Sequence, residues 1–431
     1  MTLRFSAPRG IGGEITPPPD KSVTHRALML AGLADGVSRV GNPLATGDCL
    51  ATRACLEALG VAFEVEREAW TVAGRGLGGL VEPAGVLDAR NSGTSMRLLA
   101  GILAGRPLYA VLSGDASLCS RPMLRVVEPL RAMGASIEGR AGGRLAPLTL
   151  LPGSGPLRAL RYDLPVPSAQ VKSALLLAAL RADGESSLGG ALASRDHTER
   201  LLSFLGVPLA QEAGRLKLKP ARSLPAFELE VPGDPSSAAF FLAAALLGGR
   251  ELEVLGCGLN PTRLGFMEVL RRMGARLEEI PEASQGGEPV GRLRLRPGDL
   301  EAVTVAASEV PALIDEIPLI AVLGAFARGR TRVEGAGELR HKESDRLQAV
   351  RRLLEAVGGR VELSGDGLAV EGPQKLRPGT VDPEGDHRIA MAAAVLGSAI
   401  PEGVRVLGFE AAAVSFPDFL AAYRGLGGRA E

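Results

Sequence analysis

Glu57–Val65 reads EALGVAFEV: the end of a helix, a glycine, then alternating apolar residues. The same reading returns five times, as RAMGASIEG (Arg131–Gly139), SFLGVPLAQ (Ser203–Gln211), RRMGARLEE (Arg271–Glu279), EAVGGRVEL (Glu355–Leu363) and RGLGGRAE (Arg424–Glu431). The period is near 70 residues, longer than that of the common solenoids. Each glycine, Gly60, Gly134, Gly206, Gly274, Gly358 and Gly427, suits the left-handed position that closes a helix, and a short strand should follow.

Working outward, each stretch is preceded by a second kind of helix, small and apolar on nearly every face: Ser22–Gly36, Ser92–Gly105, Ser168–Gly184, Ser236–Gly248, Asp315–Gly329 and Asp386–Gly397. A helix apolar all round is a buried one. Each unit therefore reads as strands around two helices, one central and one outer, and three units can close around three buried helices. Six units predict an α/β protein of two domains. The length of 431 residues agrees, since one core stops growing at roughly 250–300.

Phe227–Pro235 (FELEVPGDP) breaks the chain between the third and fourth units, and Gly10–Pro19 carries Gly12, Gly13 and Pro17 to Pro19. The expected domains are 14–228, and 1–13 with 229–431, the first strand Leu3–Ser6 joining the second domain and the chain crossing twice, near 10–20 and 227–235.

Lysine plus arginine and aspartate plus glutamate both number 49, so no global field draws the chain to nucleic acid or an anionic membrane. No apolar run is long enough for a membrane span, and Met1–Gly10 lacks the features of a signal peptide. A cytoplasmic protein, without nucleic-acid or membrane partners, is expected. Cys49, Cys55, Cys119 and Cys257 show neither CxxC spacing nor disulfide-scaffold density.

Helix starts carry unpaired N–H groups and a positive dipole end, which makes them anion sites. At the starts of the buried helices stand Asp20-Lys21-Ser22 with His25 and Arg26; Asn91-Ser92-Gly93-Thr94 with Arg97; Ser168-Ala169-Gln170 with Lys172; Asp315-Glu316; and Asp386-His387-Arg388. The outer helices add Ser120-Arg121-Pro122, Ser194-Arg195-Asp196 and Lys342-Glu343-Ser344-Asp345-Arg346. Six of the 49 cations are lysines, and three of those, Lys21, Lys172 and Lys342, lie in these motifs. Taken singly, such motifs also suit helix caps and surface salt bridges. Together they suit ligands rich in phosphate and carboxylate, with Asp315, Glu343 and Lys21 as proton carriers.

Gly74-x-Gly76-x-x-Gly79 matches a dinucleotide fingerprint, but LVEPAG follows where a helix should open. His25, His197, His341 and His387 lack metal-ligand spacing.

PPPDKSVTHRALML, NSGTSMRLLAGILAG, SRPM, SAQVKSALLLAAL, SRDHTE, IDEIPLIAV, ELRHKESDRL and DHRIAMAAAVLG resemble, in order, the blocks of the 5-enolpyruvylshikimate-3-phosphate synthase family. SAQVKSA, SRDHTE and IDE resemble its class II bacterial wording. The resemblance implies the two-domain enolpyruvyl transferase fold, an inside-out α/β barrel of six βαβαββ-like units that closes on ligand, and transfer of the enolpyruvyl group of phosphoenolpyruvate to the 5-hydroxyl of shikimate 3-phosphate on the way to chorismate. By the same resemblance Lys21, Ser22, Arg26, Ser168, Gln170, Arg195, Asp315 and Lys342 would hold shikimate 3-phosphate. Lys21, Gly93, Arg121, Gln170, Arg346 and Arg388 would hold phosphoenolpyruvate, with Asn91 and Thr94 shaping that loop. Asp315 would take the hydroxyl proton, and Glu343 or Lys21 would protonate the methylene carbon.

No metal or organic cofactor is expected, and the protein should act as a monomer that glyphosate inhibits in competition with phosphoenolpyruvate. Val414 stands where many relatives of the enterobacterial type have a lysine. Two other readings stay open: a UDP-N-acetylglucosamine enolpyruvyl transferase, whose reactive cysteine would lie further before the loop arginine than Cys119 does before Arg121, and a non-catalytic anion-binding scaffold.

Overall fold

All six glycine stretches close their helices through one hydrogen-bond pattern, seen in a computed structural model that describes residues 1–431. At the first, Gly60 N–H donates to Glu57 O (2.9 Å) and Val61 N–H to Leu56 O (3.0 Å), the paired bonds of a Schellman cap. Gly134, Gly206, Gly274, Gly358 and Gly427 repeat it, each with φ between +75° and +103°. At Gly274 a Cβ would lie far inside van der Waals contact with the Asp299 carbonyl oxygen, so both conformation and space require glycine there.

The strand after each cap joins a four-stranded sheet, and there are six such sheets with one topology. In the second, Leu87–Asp88 runs parallel to Ala110–Ser113, which pairs antiparallel with Leu145–Leu150, which pairs with the post-glycine strand Ile137–Gly139. In every sheet the first pair is parallel and the second antiparallel.

Three sheets borrow a strand from far along the chain. Glu228–Glu230 pairs with Val37–Gly41, Gly13–Ile15 with Leu252–Gly258, and Leu3–Ser6 with both Val404–Val406 and Arg429–Ala430. These pairings set the boundaries of two compact units: Met1–Pro18 with Pro232–Ala283 and Pro289–Glu431, and Pro19–Val231 with Ser284–Glu288. They lie a few residues from the expected 13/14 and 228/229, because Glu14 and Ile15 are held by Glu253 and Val254, and Leu229 and Glu230 by Val40 and Gly41. The segment Ser284–Glu288 belongs with the second-named unit, where Glu288 Oε1 lies 2.8 Å from His197 Nδ1 with both side chains 2% exposed.

Each unit has its own apolar core. The central helices are Lys21–Leu33, Gly93–Leu103 and Ala169–Ala179 in one, and Pro235–Leu247, Ile317–Gly324 and His387–Ser398 in the other. Every residue of His387–Ser398 is buried. Asp20, Ser92, Ser168, Asp234 and Asp386 cap five of them by accepting an N–H from the first turn. The fifth start differs from expectation. Asp315 lies in a 3-10 turn, Ile314–Glu316, and the α-helix begins after it with Pro318 in its first turn, where a missing N–H costs nothing. The Asp315 carboxylate is thus released from capping. No helix is long and apolar enough to cross a membrane.

Candidate active-site residues

In the unit Pro19–Val231 the helix starts are drawn together by close packing. Gly101 faces Ala174 so tightly that a Cβ would strike its carbonyl oxygen, which sets helices Gly93–Leu103 and Ala169–Ala179 side by side. At their starts Gln170 Nε2 donates to Thr94 Oγ1 at 3.0 Å, and Gln170 Oε1 accepts from Arg97 Nη1 at 2.5 Å. Arg97 Nη2 also donates to Pro122 O at 3.0 Å. Gly93 sits against this group: a Cβ there would lie 2.8 Å from Arg97 Nη1 and 3.6 Å from Arg121 Nη1. Arg121 donates to the Asn91 side chain, and Asn91 Nδ2 to Asp115 Oδ2 at 2.6 Å.

Lys21 follows the cap Asp20, and its Nζ meets Asp48 Oδ2 at 3.0 Å with both side chains under a fifth exposed. Asp48 occupies the first turn of the outer helix Gly47–Ala58, a common place for an acid, so its spacing gave no warning of a partner 27 residues away. A chain of hydroxyls ties these starts together. His25 Nδ1 is 2.7 Å from Thr52 Oγ1, which is 2.6 Å from Ser95 Oγ, which is 2.8 Å from the cap Ser92 Oγ. Burial above all lowers the pKa of His25 to about 3, so the ring is neutral at physiological pH.

Arg26 is turned inward. It donates through Nε to Thr198 Oγ1 (2.7 Å), through Nη1 to Ser22 O (2.9 Å) and through Nη2 to Ser173 Oγ (2.9 Å). Burial is the main reason its pKa falls to about 10, with Glu199 opposing and Arg195 adding to the fall. Ser168 accepts the Val171 N–H at 3.4 Å, a long bond. Arg195 lies half-buried in the turn before helix His197–Phe204.

The other unit gathers four carboxylates and three cations. Arg346, 1% exposed, donates through Nε to Asp386 Oδ2 (2.8 Å), through Nη1 to Asp315 Oδ1 (3.1 Å) and through Nη2 to Glu343 Oε2 (2.6 Å). Burial works against its charge, but Asp386, Glu343 and Asp315 outweigh that and raise its pKa above the ordinary arginine value. Asp386 is held below the usual carboxylate range: burial and Glu343 oppose this, and Arg346 prevails with help from His387. Lys342 Nζ also reaches Asp315 Oδ1, at 3.3 Å, and Arg388 lies 3.7 Å from Asp315 Oδ2 and 3.5 Å from Glu316 Oε1. Asp315 thus faces three cations. Val414, half-buried, ends the 3-10 turn Phe409–Val414.

Such a set can bind a polyanion through arginines and pass protons through carboxylates and a lysine. Most candidates named from the sequence fall at a helix start or in the turn before one, while Arg26 and Arg97 lie in the second turns of Lys21–Leu33 and Gly93–Leu103.

A model of the family described as EPSP synthase (3-phosphoshikimate 1-carboxyvinyltransferase) matches residues 6–422. The 3-phosphoshikimate 1-carboxyvinyltransferase of Thermus thermophilus is 50% identical over 416 residues, 96% of either chain. The protein of that name from Desulfitobacterium hafniense is 46% identical over 420 residues, 97% of this chain and 96% of its own. Among solved structures, EPSP synthase from Acinetobacter baumannii is similar at a TM-score of 0.88 with 37% identity, covering 100% of both chains. The enolpyruvyl transferase NikO from Streptomyces tendae, 19% identical with a TM-score of 0.79 over 100% of this chain and 98% of its own, shares the fold.

Proposed function

The chain belongs to the EPSP synthase (3-phosphoshikimate 1-carboxyvinyltransferase) family, and from that premise we propose that it transfers the carboxyvinyl group of phosphoenolpyruvate to the 5-hydroxyl of shikimate 3-phosphate and releases phosphate. The observation that carries the reading is the family match along residues 6–422. The three cations around the Asp315 carboxylate support it, because a passive anion clamp gains nothing from an acid set among its arginines.

Asp315 takes the proton of the 5-hydroxyl as that oxygen bonds to C2 of phosphoenolpyruvate. A proton goes to the methylene carbon, from Glu343 or from Lys21. The tetrahedral adduct then loses its C2–phosphate oxygen bond, and a proton leaves the new methyl group as the double bond re-forms. Arginines steady the charge on the departing phosphate. Arg346, Arg388, Arg121, Gly93, Gln170 and Lys21 serve the donor, and Lys21, Ser22, Arg26, Ser168, Gln170, Arg195, Asp315 and Lys342 the acceptor.

The inward bonds of Arg26 make its contribution mainly one of field and of fixing the first turn through Ser22. Asp48 holds the Lys21 ammonium in place, and Arg97 fixes Gln170. The test is phosphate release from the purified chain given both substrates, with UDP-N-acetylglucosamine as the control acceptor. Release with the nucleotide sugar alone would move the chain to the other enolpyruvyl reaction.

A further inference from the structure

Lys172 is the one lysine of the site motifs to which the chemistry above gives no task. Burying an ammonium group is costly unless its donors are met. Lys172 is 4% exposed, and its Nζ donates to Leu192 O (3.2 Å), to Ser194 O (3.2 Å) and to Glu199 Oε1 (2.6 Å), which uses all three donors. Two of these go to carbonyls of a single irregular stretch, and the residue after the second is Arg195. On the other side of Arg195, Asp196 Oδ1 accepts from Arg200 Nε at 2.9 Å, and His197 is tied to Glu288. The loop is therefore pinned on both sides of the arginine. Arg195 is near enough to Arg26 to help lower its pKa.

We infer that Lys172 and Glu199 are a positioning pair whose task is to hold the 192–194 loop so that Arg195 is presented beside Arg26 to the anionic groups of the acceptor; this rests on the reading of Arg195 as an acceptor ligand. The pair is neutral as a unit, so it adds little net field at the anion and acts through geometry. Presenting a guanidinium already in place spares the acceptor the entropy of ordering it.

Removing Lys172 alone would leave Glu199 buried without its partner, so the test uses the double variant Lys172→Met, Glu199→Gln, which preserves net charge and side-chain size. The expected result is a KM for shikimate 3-phosphate raised about tenfold or more, with kcat and the KM for phosphoenolpyruvate within about twofold of wild type. Adding Arg195→Ala should then raise the acceptor KM no further than Arg195→Ala does alone, since the pair acts through that arginine.

An unchanged acceptor KM in the double variant overturns the proposal, as does full additivity with Arg195→Ala. Equal losses in kcat and in both KM values would also overturn it, by showing a general structural role. Wild-type phosphate release, measured alongside, separates this from the larger reading: no release from wild type overturns both, whereas normal wild-type turnover with an unmoved acceptor KM overturns the pair alone.

Discussion

Replacing Gly93 with alanine places a methyl group 2.8 Å from Arg97 Nη1. An ordinary carbon–nitrogen contact is about 3.5 Å, so the guanidinium has to retreat by several tenths of an ångström. The nitrogen that must move is the one donating to Gln170 Oε1 at 2.5 Å. A hydrogen bond made by a charged group contributes about 1.5–3 kcal/mol, and without it Gln170 is no longer prepositioned for the donor. If that energy is missing from donor binding, the KM for phosphoenolpyruvate rises about 10- to 150-fold. The acceptor KM should rise as well, since Gln170 serves both substrates.

The assay is steady-state phosphate release with phosphoenolpyruvate varied at saturating shikimate 3-phosphate, in wild type, Gly93→Ala, Gln170→Ala and the double variant. Because both single changes break the Arg97–Gln170 hydrogen bond, their effects should overlap and sum to less than additivity. A donor KM within about twofold of wild type for Gly93→Ala, or strict additivity, would refute the reasoning.

Asp315→Ala should lower kcat by about 10²–10⁴-fold while shikimate 3-phosphate still binds by calorimetry; near-normal turnover removes Asp315 from the role of base. His25 has a folded-state pKa of about 3 against an ordinary 6.5, so the unfolded chain takes up the proton first as pH falls. Stability is then lost from pH 6.5 downward, by about 2 kcal/mol at pH 5, and in urea melts His25→Gln should show a shallower acid dependence than wild type. Gly274→Ala meets both a φ of +103° and the Asp299 carbonyl, and should cost about 2 kcal/mol or more in the same melts. A loss under about 0.5 kcal/mol would mean that the cap adapts.

The repeat was legible because its signals are local. A glycine after a helix end reports a backbone conformation that other residues adopt at a cost, and all six positions show it. The caps Ser92, Ser168 and Asp386 are legible for the same reason, whereas the first helix, expected to open at Ser22, starts at Lys21 with Asp20 as its cap. Strand exchange was less so. Gly13–Ile15 finds its partner at Leu252–Gly258, and nothing in three residues of sequence encodes a pairing that distant, which is why the unit boundaries moved. The sequence pattern puts Asp315 at a helix start, although Pro318 three residues later marks the first turn and so dates the helix from Ile317.

Within the candidate site, residue types and their clustering at helix starts could be read, but partners could not. Asp48 beside Lys21, Gln170 beside Arg97 and Glu199 beside Lys172 join residues separated by 27, 73 and 27 positions. Such contacts depend on how neighbouring helices approach, as Gly101 shows by admitting Ala174. The inward turn of Arg26 likewise depends on Ser173 and Thr198, hydroxyls from another repeat.

The most direct test of the central claim is to mix the purified chain with shikimate 3-phosphate and phosphoenolpyruvate and to follow inorganic phosphate together with the carboxyvinyl product. One phosphate should appear for each 5-carboxyvinyl ether formed, and none when either substrate is omitted. Binding of both ligands without phosphate release would contradict the claim and leave an anion-binding scaffold in its place.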